Sequence, residues 1–368
     1  MGIAETYTRG RQIAVARPGS VIVGLVVAVL LFDLGVGVAT GDNSFSGIGS
    51  LAWDGLMRGL VIGLAGIGLS MTYSILNFAN FAHGDYITAG AFSGWATTYV
   101  IAGLGRADIG ALFLVGASGS VFGGTLGIGV TGTPLAVAAG AVIAGVFTVG
   151  LALFVDRTVF KPIRDESGIT LLITSIGVAF ALRYTILFVF SSSVRGTTAQ
   201  PPSISLYFVD GFVRVNAHDI ALAVVAGALM LGVHLLLQLT KLGKAMRAMA
   251  DNEDLAQITG IPTERVVRAV WIIGGGLTGV AGYMFVLWKG TLGFNDGWLL
   301  LLLIFAAVIL GGIGSIYGAI VGGLAIGLTA SMSVLWIPSA FSRAAAFFVM
   351  IVILLVKPEG IFSGRSTA

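Results

Sequence analysis

Residues 299–310 pass without one polar side chain, and nine more apolar runs of comparable character recur at 21–40, 56–78, 86–104, 134–155, 169–190, 220–239, 266–288, 316–336 and 344–356. A helix needs about 20 apolar residues to cross the hydrocarbon core of a bilayer. Strands of a membrane barrel would instead alternate polar and apolar positions, which 299–310 does not do. The expected fold is an all-α polytopic membrane protein of about ten transmembrane helices, eight to ten, whose 55 glycines let neighbouring helices approach closely. Only 37 of 368 residues are charged, which leaves no room for a separate soluble domain.

The placement of those charges orients the chain. With the N-terminus inside and the spans alternating, Arg9, Arg11, Arg17, Arg157, Lys161, Arg164, Lys241, Lys244, Arg247, Arg265, Arg268, Lys357 and Arg365 all fall on the inner side. The outer side holds Arg106, Arg195, Arg214 and Lys289, while Arg58, Arg183 and Arg343 lie in spans or at their ends. Thirteen against four follows the positive-inside rule and puts both termini in the cytoplasm. The basic flank before the first run resembles that of a signal peptide, but the run is long enough for an uncleaved anchor. Outer loops are expected at 41–54 and 191–217, the latter with turns around Pro201 and Pro202, and the glycine-rich stretch 109–130 reads as an external or re-entrant insertion.

One polar island stands out. Residues 240–268 carry nine charges between two spans. Leu242, Ala245, Met246 and Met249 recur at helical spacing and extend the preceding span by an amphipathic turn or two. Asp251 is placed to cap a new short helix, with Asp254 three residues on as an acidic capping box. That helix is expected over 252–259, with Leu255, Ala256, Ile258 and Thr259 on its less polar faces, until Gly260 and Pro262 stop it. It reads either as a connector packed on its own bundle or as a helix that docks into a partner.

Catalytic chemistry finds no purchase. There is no GxxxxGK[ST] phosphate loop, no HExxH, and His83, His218 and His234 are scattered. The chain is therefore read as a non-enzyme with no catalytic residue, no metal site and no cofactor. The polar groups inside the spans matter more, because lipid tolerates them only when they face the bundle interior or water. Residues 80–85, Asn80-Phe81-Ala82-His83-Gly84-Asp85, are either helix caps, with Asn80 ending one span and Asp85 opening the next, or lining of a solute pathway. Gly311, Gly312, Gly314 and Ser315 suit a tight turn between spans. Arg183 should pair with an acid or a carbonyl, and Asp33 lies near the outer surface.

These stretches together resemble the permease subunits of branched-chain amino acid ABC importers of the high-affinity Liv type. The resemblance runs from about residue 55 to 362 and rests on 80–85, 156–164, 243–252, 310–315 with Gly318, and 357–362, in that order. It implies an N-terminal extension at 1–54 and a permease domain at 55–368 in the plasma membrane. It also implies import of leucine, isoleucine and valine. The implied partners are a second homologous permease subunit, two cytoplasmic ATP-binding subunits and an extracytoplasmic solute-binding protein, with no nucleic acid. The island becomes the ATPase-coupling loop, with Gly243, Arg247, Asp251, Asp254, Leu255, Ala256 and Gly260 as its residues. The pathway is assigned to Asn80, Phe81, His83, Gly84, Asp85, Gly311, Gly312, Gly314 and Ser315. Where relatives carry a lysine before the 310–315 turn, this chain has Leu303. A urea or short-amide permease remains an alternative, as does an ion-coupled secondary transporter or channel, for which the spans offer few coupling acids.

Overall fold

The computed structural model describes residues 18–105 and 123–362. The ten apolar runs are helices: α1 (Pro18–Thr40), α2 (Phe45–Leu76), α3 (His83–Ala102), α4 (Pro134–Val155), α5 (Gly168–Phe190), α6 (Ala217–Leu239), α9 (Thr263–Lys289), α10 (Asp296–Gly311), α11 (Ile316–Met332) and α12 (Ser342–Val356). Between α6 and α9 lie two shorter ones, α7 (Lys241–Asp251) and α8 (Glu253–Ile258). Among the described residues, seven helices are long and apolar enough to cross a membrane. α3, rich in glycine, serine and threonine, is not one of them, α10 is shorter, and α1 qualifies only as a shorter apolar helix over Gly24–Thr40.

α2 and α9 are the most buried spans, and α5, α6 and α12 turn most of their surface outward. That surface is apolar, as in Ile173, Phe188, Val224, Leu231 and Phe348, and suits lipid, which satisfies no backbone polar group but accepts hydrocarbon. The most extensive contact joins α2 to α11. A Cβ on Gly327 would stand 2.4 Å from the Gly59 nitrogen, so only glycine permits this approach. α1 packs on α12, where the Trp336 indole donates to Asp33 Oδ2 at 2.8 Å, so that acid has a packing role.

Several expectations need correction. The loop expected at 41–54 is helical from Phe45, because Ser44 accepts from the Gly47 nitrogen at 3.0 Å and starts α2 early. The loop expected at 191–217 contains a hairpin, β2 (Ser203–Phe208) with β3 (Gly211–Asn216), while β1 (Arg195–Gly196) pairs with β4 (Thr291–Leu292). The Asp210 carboxylate at the hairpin tip accepts from the nitrogens of Phe45 and Ser46, tying the hairpin to the start of α2. The 109–130 insertion lies outside the described residues except for its last part, where Gly123–Leu126 forms a 3-10 turn.

The bundle has two distinct ends. One gathers the island, the 156–166 loop, the 311–315 turn and the tail, whose Phe362 nitrogen donates to Gly311 O at 2.9 Å. The other gathers the hairpin, the end of α9 and the starts of α6, α10 and α12.

Candidate functional site

The island is two helices, not an extension of α6. Thr240 breaks α6, and its hydroxyl accepts from the Gly243 nitrogen at 3.0 Å to open α7. Arg247 donates back to the Leu237 carbonyl, folding α7 against the end of α6. Gly243 sits so close to Leu237 that a Cβ would meet its carbonyl oxygen at 2.3 Å. Met246 and Met249 are buried beneath.

The cap of α8 is Asn252 rather than Asp251, which closes α7 instead. Its Oδ1 accepts from the Leu255 nitrogen at 2.9 Å, while Glu253 and Asp254 lie in the first turn, where their charge suits the helix dipole. Of the residues in α8, Ala256 is buried, whereas Leu255 is 59% and Ile258 83% exposed. Gly260 then turns the chain with φ of +86°, a value that favours glycine. Beside the island, Glu264 at the start of α9 takes Lys161 and Arg164, each at 3.0 Å, and Arg164 also holds Asp156 at 2.8 Å. Asp156, Lys161 and Glu264, with Arg157 and Arg268, line a cleft of about 800 Å³.

A second centre lies inside the bundle. α3 begins beside Ala65 of α2 and Thr278 of α9: His83 Nε2 is 2.9 Å from the Ala65 carbonyl oxygen and 3.4 Å from Thr278 Oγ1. Asn77 in the left-handed conformation, not Asn80, ends α2, and Ala82 opens α3 without a side-chain cap. Asn80 is fully buried and accepts from the Ala82 nitrogen at 3.0 Å, and the Phe81 nitrogen donates to Ser175 Oγ. Asp85 finds Arg183. The guanidinium donates from Nε at 3.1 Å and Nη2 at 2.9 Å to the two carboxylate oxygens, and Arg183 lies 4.3 Å above the Trp298 ring. Gly84 admits α10 here, since a Cβ would meet the Gly297 carbonyl at 2.9 Å.

The other half of the expected pathway is remote from this centre. Gly311, Gly312, Gly314 and Ser315 form the turn between α10 and α11 at the island end, with φ of +104° at Gly312 and +84° at Gly314. Ser315 caps α11 by accepting from the Gly318 nitrogen at 3.0 Å.

At the opposite end lies a cavity of about 570 Å³ between α2, α6, α9, α10 and α12. Asp54 and Arg58 line it from α2, Asp219 from α6 and Arg343 from α12, while Leu299, Leu300 and Leu303 face it from α10. None of the residues at 80–85 or 311–315 is among its lining. The signal for it was an Asp-Arg pair four residues apart within an otherwise apolar span, which lipid does not tolerate without a purpose.

Residues 51–356 match the family described as the branched-chain amino acid transport system permease component. The chain is 29% identical over 316 residues to the high-affinity branched-chain amino acid transport system permease protein LivH of Escherichia coli, covering 84% of this chain and 93% of that protein. It is 26% identical to BraD of Pseudomonas aeruginosa, a permease protein of the same description, over 83% of this chain and 94% of that one. A probable branched-chain amino acid transport permease LivH of Methanocaldococcus jannaschii is 28% identical over 81% of this chain and 87% of its own length. No solved structure matches.

Proposed function

The chain belongs to the family of permease components of branched-chain amino acid transport systems, and from that membership we propose that it imports leucine, isoleucine and valine as a membrane subunit of an ABC transporter. It pairs with a homologous permease, receives solute from a binding protein outside and is driven by two ATPase subunits inside. It resides in the plasma membrane with both ends in the cytoplasm, an orientation supported by the excess of Lys and Arg at the island end. It hydrolyses no ATP itself. Residues 1–54 are an extension to the permease domain at 55–368. The match over 51–356 carries this reading.

Energy enters at the island. Leu255 and Ile258 stand outward on a capped helix braced by buried Ala256, which suits insertion into a groove on an ATPase subunit. Gly243, Arg247 and Gly260 hold that helix in place, Asp254 gives it an acidic first turn, and Asp251 adds a negative charge from the end of α7. When the ATPase pair closes on ATP, the docked helix carries the displacement to α9, which follows it in sequence, and through α7 to α6. The bundle then exchanges two states, each with its own contacts, as coupling requires. The 80–85 segment and the 311–315 turn serve the pathway as the tightly packed framework that these states rearrange.

The test is co-expression with the neighbouring gene products and reconstitution in vesicles. ATP-dependent accumulation of radiolabelled leucine in preference to urea is the expected result. Uptake that follows an ion gradient without ATPase subunits would overturn the reading, and ATP-driven urea uptake would reassign the substrate.

A further inference from the structure

The cavity at the end of the bundle away from the island holds more charge than the protein itself neutralises. Two of its charges are paired: Lys289 Nζ lies 2.8 Å from Asp296 Oδ1. Asp219 is engaged through one oxygen, which accepts from the Asn216 nitrogen at 2.8 Å and the Trp53 indole at 3.0 Å. By contrast Asp54, Arg58, Arg214 and Arg343 make no ion pair within 4.0 Å among the described residues, although Arg214 lies over the Phe212 ring. Arg58 is the harder to dismiss, because it sits well inside α2 and is only half-exposed. An arginine at such a depth normally pairs with an acid or a carbonyl.

Four of the seven charged residues in the lining influence one another. Asp54 lies within the field of Asp219 and Arg58, and Arg58 within the fields of Asp54 and Arg343. Asp54 thus has Asp219 as an acidic neighbour and Arg58 has Arg343 as a basic one, while Arg214 adds a further cation to the lining, so the cavity offers both signs of charge to a dipolar ion. One wall is aliphatic, with Leu299, Leu300 and Leu303 at helical spacing on one face of α10. Cavities of about 300–1,000 Å³ are the usual size for small-molecule sites, and this one falls within that range.

We propose that this cavity binds a zwitterionic amino acid, its carboxylate between Arg58 and Arg343, its ammonium at Asp54 beside Asp219, and its aliphatic side chain against Leu299, Leu300 and Leu303. The preference for a branched aliphatic side chain rests on the transport reading above; the recognition of a zwitterion rests on the charges alone. Guanidinium groups suit a carboxylate because their forked donors match its two oxygens. α10 joins this site to the buried centre, since its opposite face presents Gly297 and Leu301 to Gly84 and Trp298 to Arg183. Occupancy of the cavity therefore bears directly on the helix that packs against the Asp85–Arg183 pair.

The chain contains no cysteine, so a single L303C thiol reports on the cavity in the purified full chain. Its modification by an anionic thiosulfonate should outpace that by a cationic one, and L-leucine should slow it by about tenfold. Leucinamide, which lacks the carboxylate, and 4-methylpentanoate, which lacks the ammonium, should not. R343Q in the same background should abolish the protection by leucine, whereas R265Q, an exposed arginine at the island end of the bundle, should retain it. Modification that ignores leucine, or that leucinamide slows equally, would overturn the proposal. So would protection by the solute-binding protein alone, which would assign the cavity to a protein side chain. Wild-type leucine uptake, measured separately, tests the transport reading: its failure with protection intact would overturn that reading and leave the zwitterion site standing.

Discussion

Arg183 of α5 grips both carboxylate oxygens of Asp85 in the first turn of α3, at 3.1 and 2.9 Å, with the Trp298 ring of α10 closing over its guanidinium. Three helices meet at one ion pair in the bundle interior. Removing one partner of a buried pair leaves an uncompensated charge, which costs about 3–5 kcal/mol, whereas replacing both by apolar groups of similar volume is often near neutral. Asp85→Asn and Arg183→Gln should therefore each lower the unfolding temperature in detergent markedly, and Asp85→Leu with Arg183→Met should recover most of the loss. A double variant as unstable as the sum of the singles would show that the two groups do not act as a pair.

The exposed residues of α8 should behave in the opposite way. Leu255→Asp and Ile258→Asp alter side chains that touch little of the chain itself, so thermal stability should shift by only about 0.5 kcal/mol. ATP-driven uptake and retention of the ATPase subunits through purification should both be lost. Gln257→Ala, also exposed on the same helix, is the control that should keep both. Wild-type uptake in the two aspartate variants would remove α8 from the coupling route.

The apolar runs were legible because lipid leaves a helix no alternative, and the 311–315 turn because its glycines and Ser315 fall between two apolar runs that must reverse direction. What escaped prediction involved either near-equivalent local choices or partners far apart in the chain. Asp251 and Asn252 are both good caps, and only the backbone at Asn252, extended at φ −161°, decides between them. Thr240 likewise falls inside a continuing helical pattern, and its capping of Gly243 ends α6. The hairpin carried a signal in the alternation of Ile204, Leu206 and Phe208 before Asp210-Gly211, a pattern that favours a tight turn, but Pro201 and Pro202 drew the reading toward a loop. Asp85 and Arg183 stand 98 positions apart, and Arg58 and Arg343, from α2 and α12, line one cavity although most of the chain separates them. No local pattern encodes such encounters.

The turn between α10 and α11 sets a sharper steric test. A Cβ on Gly311 would lie 1.9 Å from the Gly318 carbonyl oxygen, and one on Gly318 would lie 2.4 Å from that of Gly311. Both neighbours are backbone and cannot swing aside. Gly311→Ala and Gly318→Ala should each cost about 1–3 kcal/mol, the range for overpacking a close contact. Gly150→Ala in α4 has nothing within 4 Å of its new methyl group and should be neutral or slightly stabilising, since alanine is the better helix former. Unfolding temperatures of the three purified variants decide the matter, and equal stability among them would mean that α10 and α11 do not approach as closely as described.

Asn252 is the remaining lever on the island, because a helix of only six residues has little stability of its own. Its side chain satisfies the Leu255 nitrogen at 2.9 Å, and losing such a cap costs about 1 kcal/mol. Asn252→Ala should raise hydrogen exchange of the α8 amides by about fivefold, the equivalent of that energy, while α7 and the spans keep their protection. Asn252→Ser, which retains a capping oxygen, should restore it. Because Leu255 and Ile258 can be presented together only while α8 is formed, the alanine variant should also bind ATPase subunits more weakly by a similar factor. Binding of those subunits should in turn restore the lost protection, since a partner that recognises the helix must stabilise it.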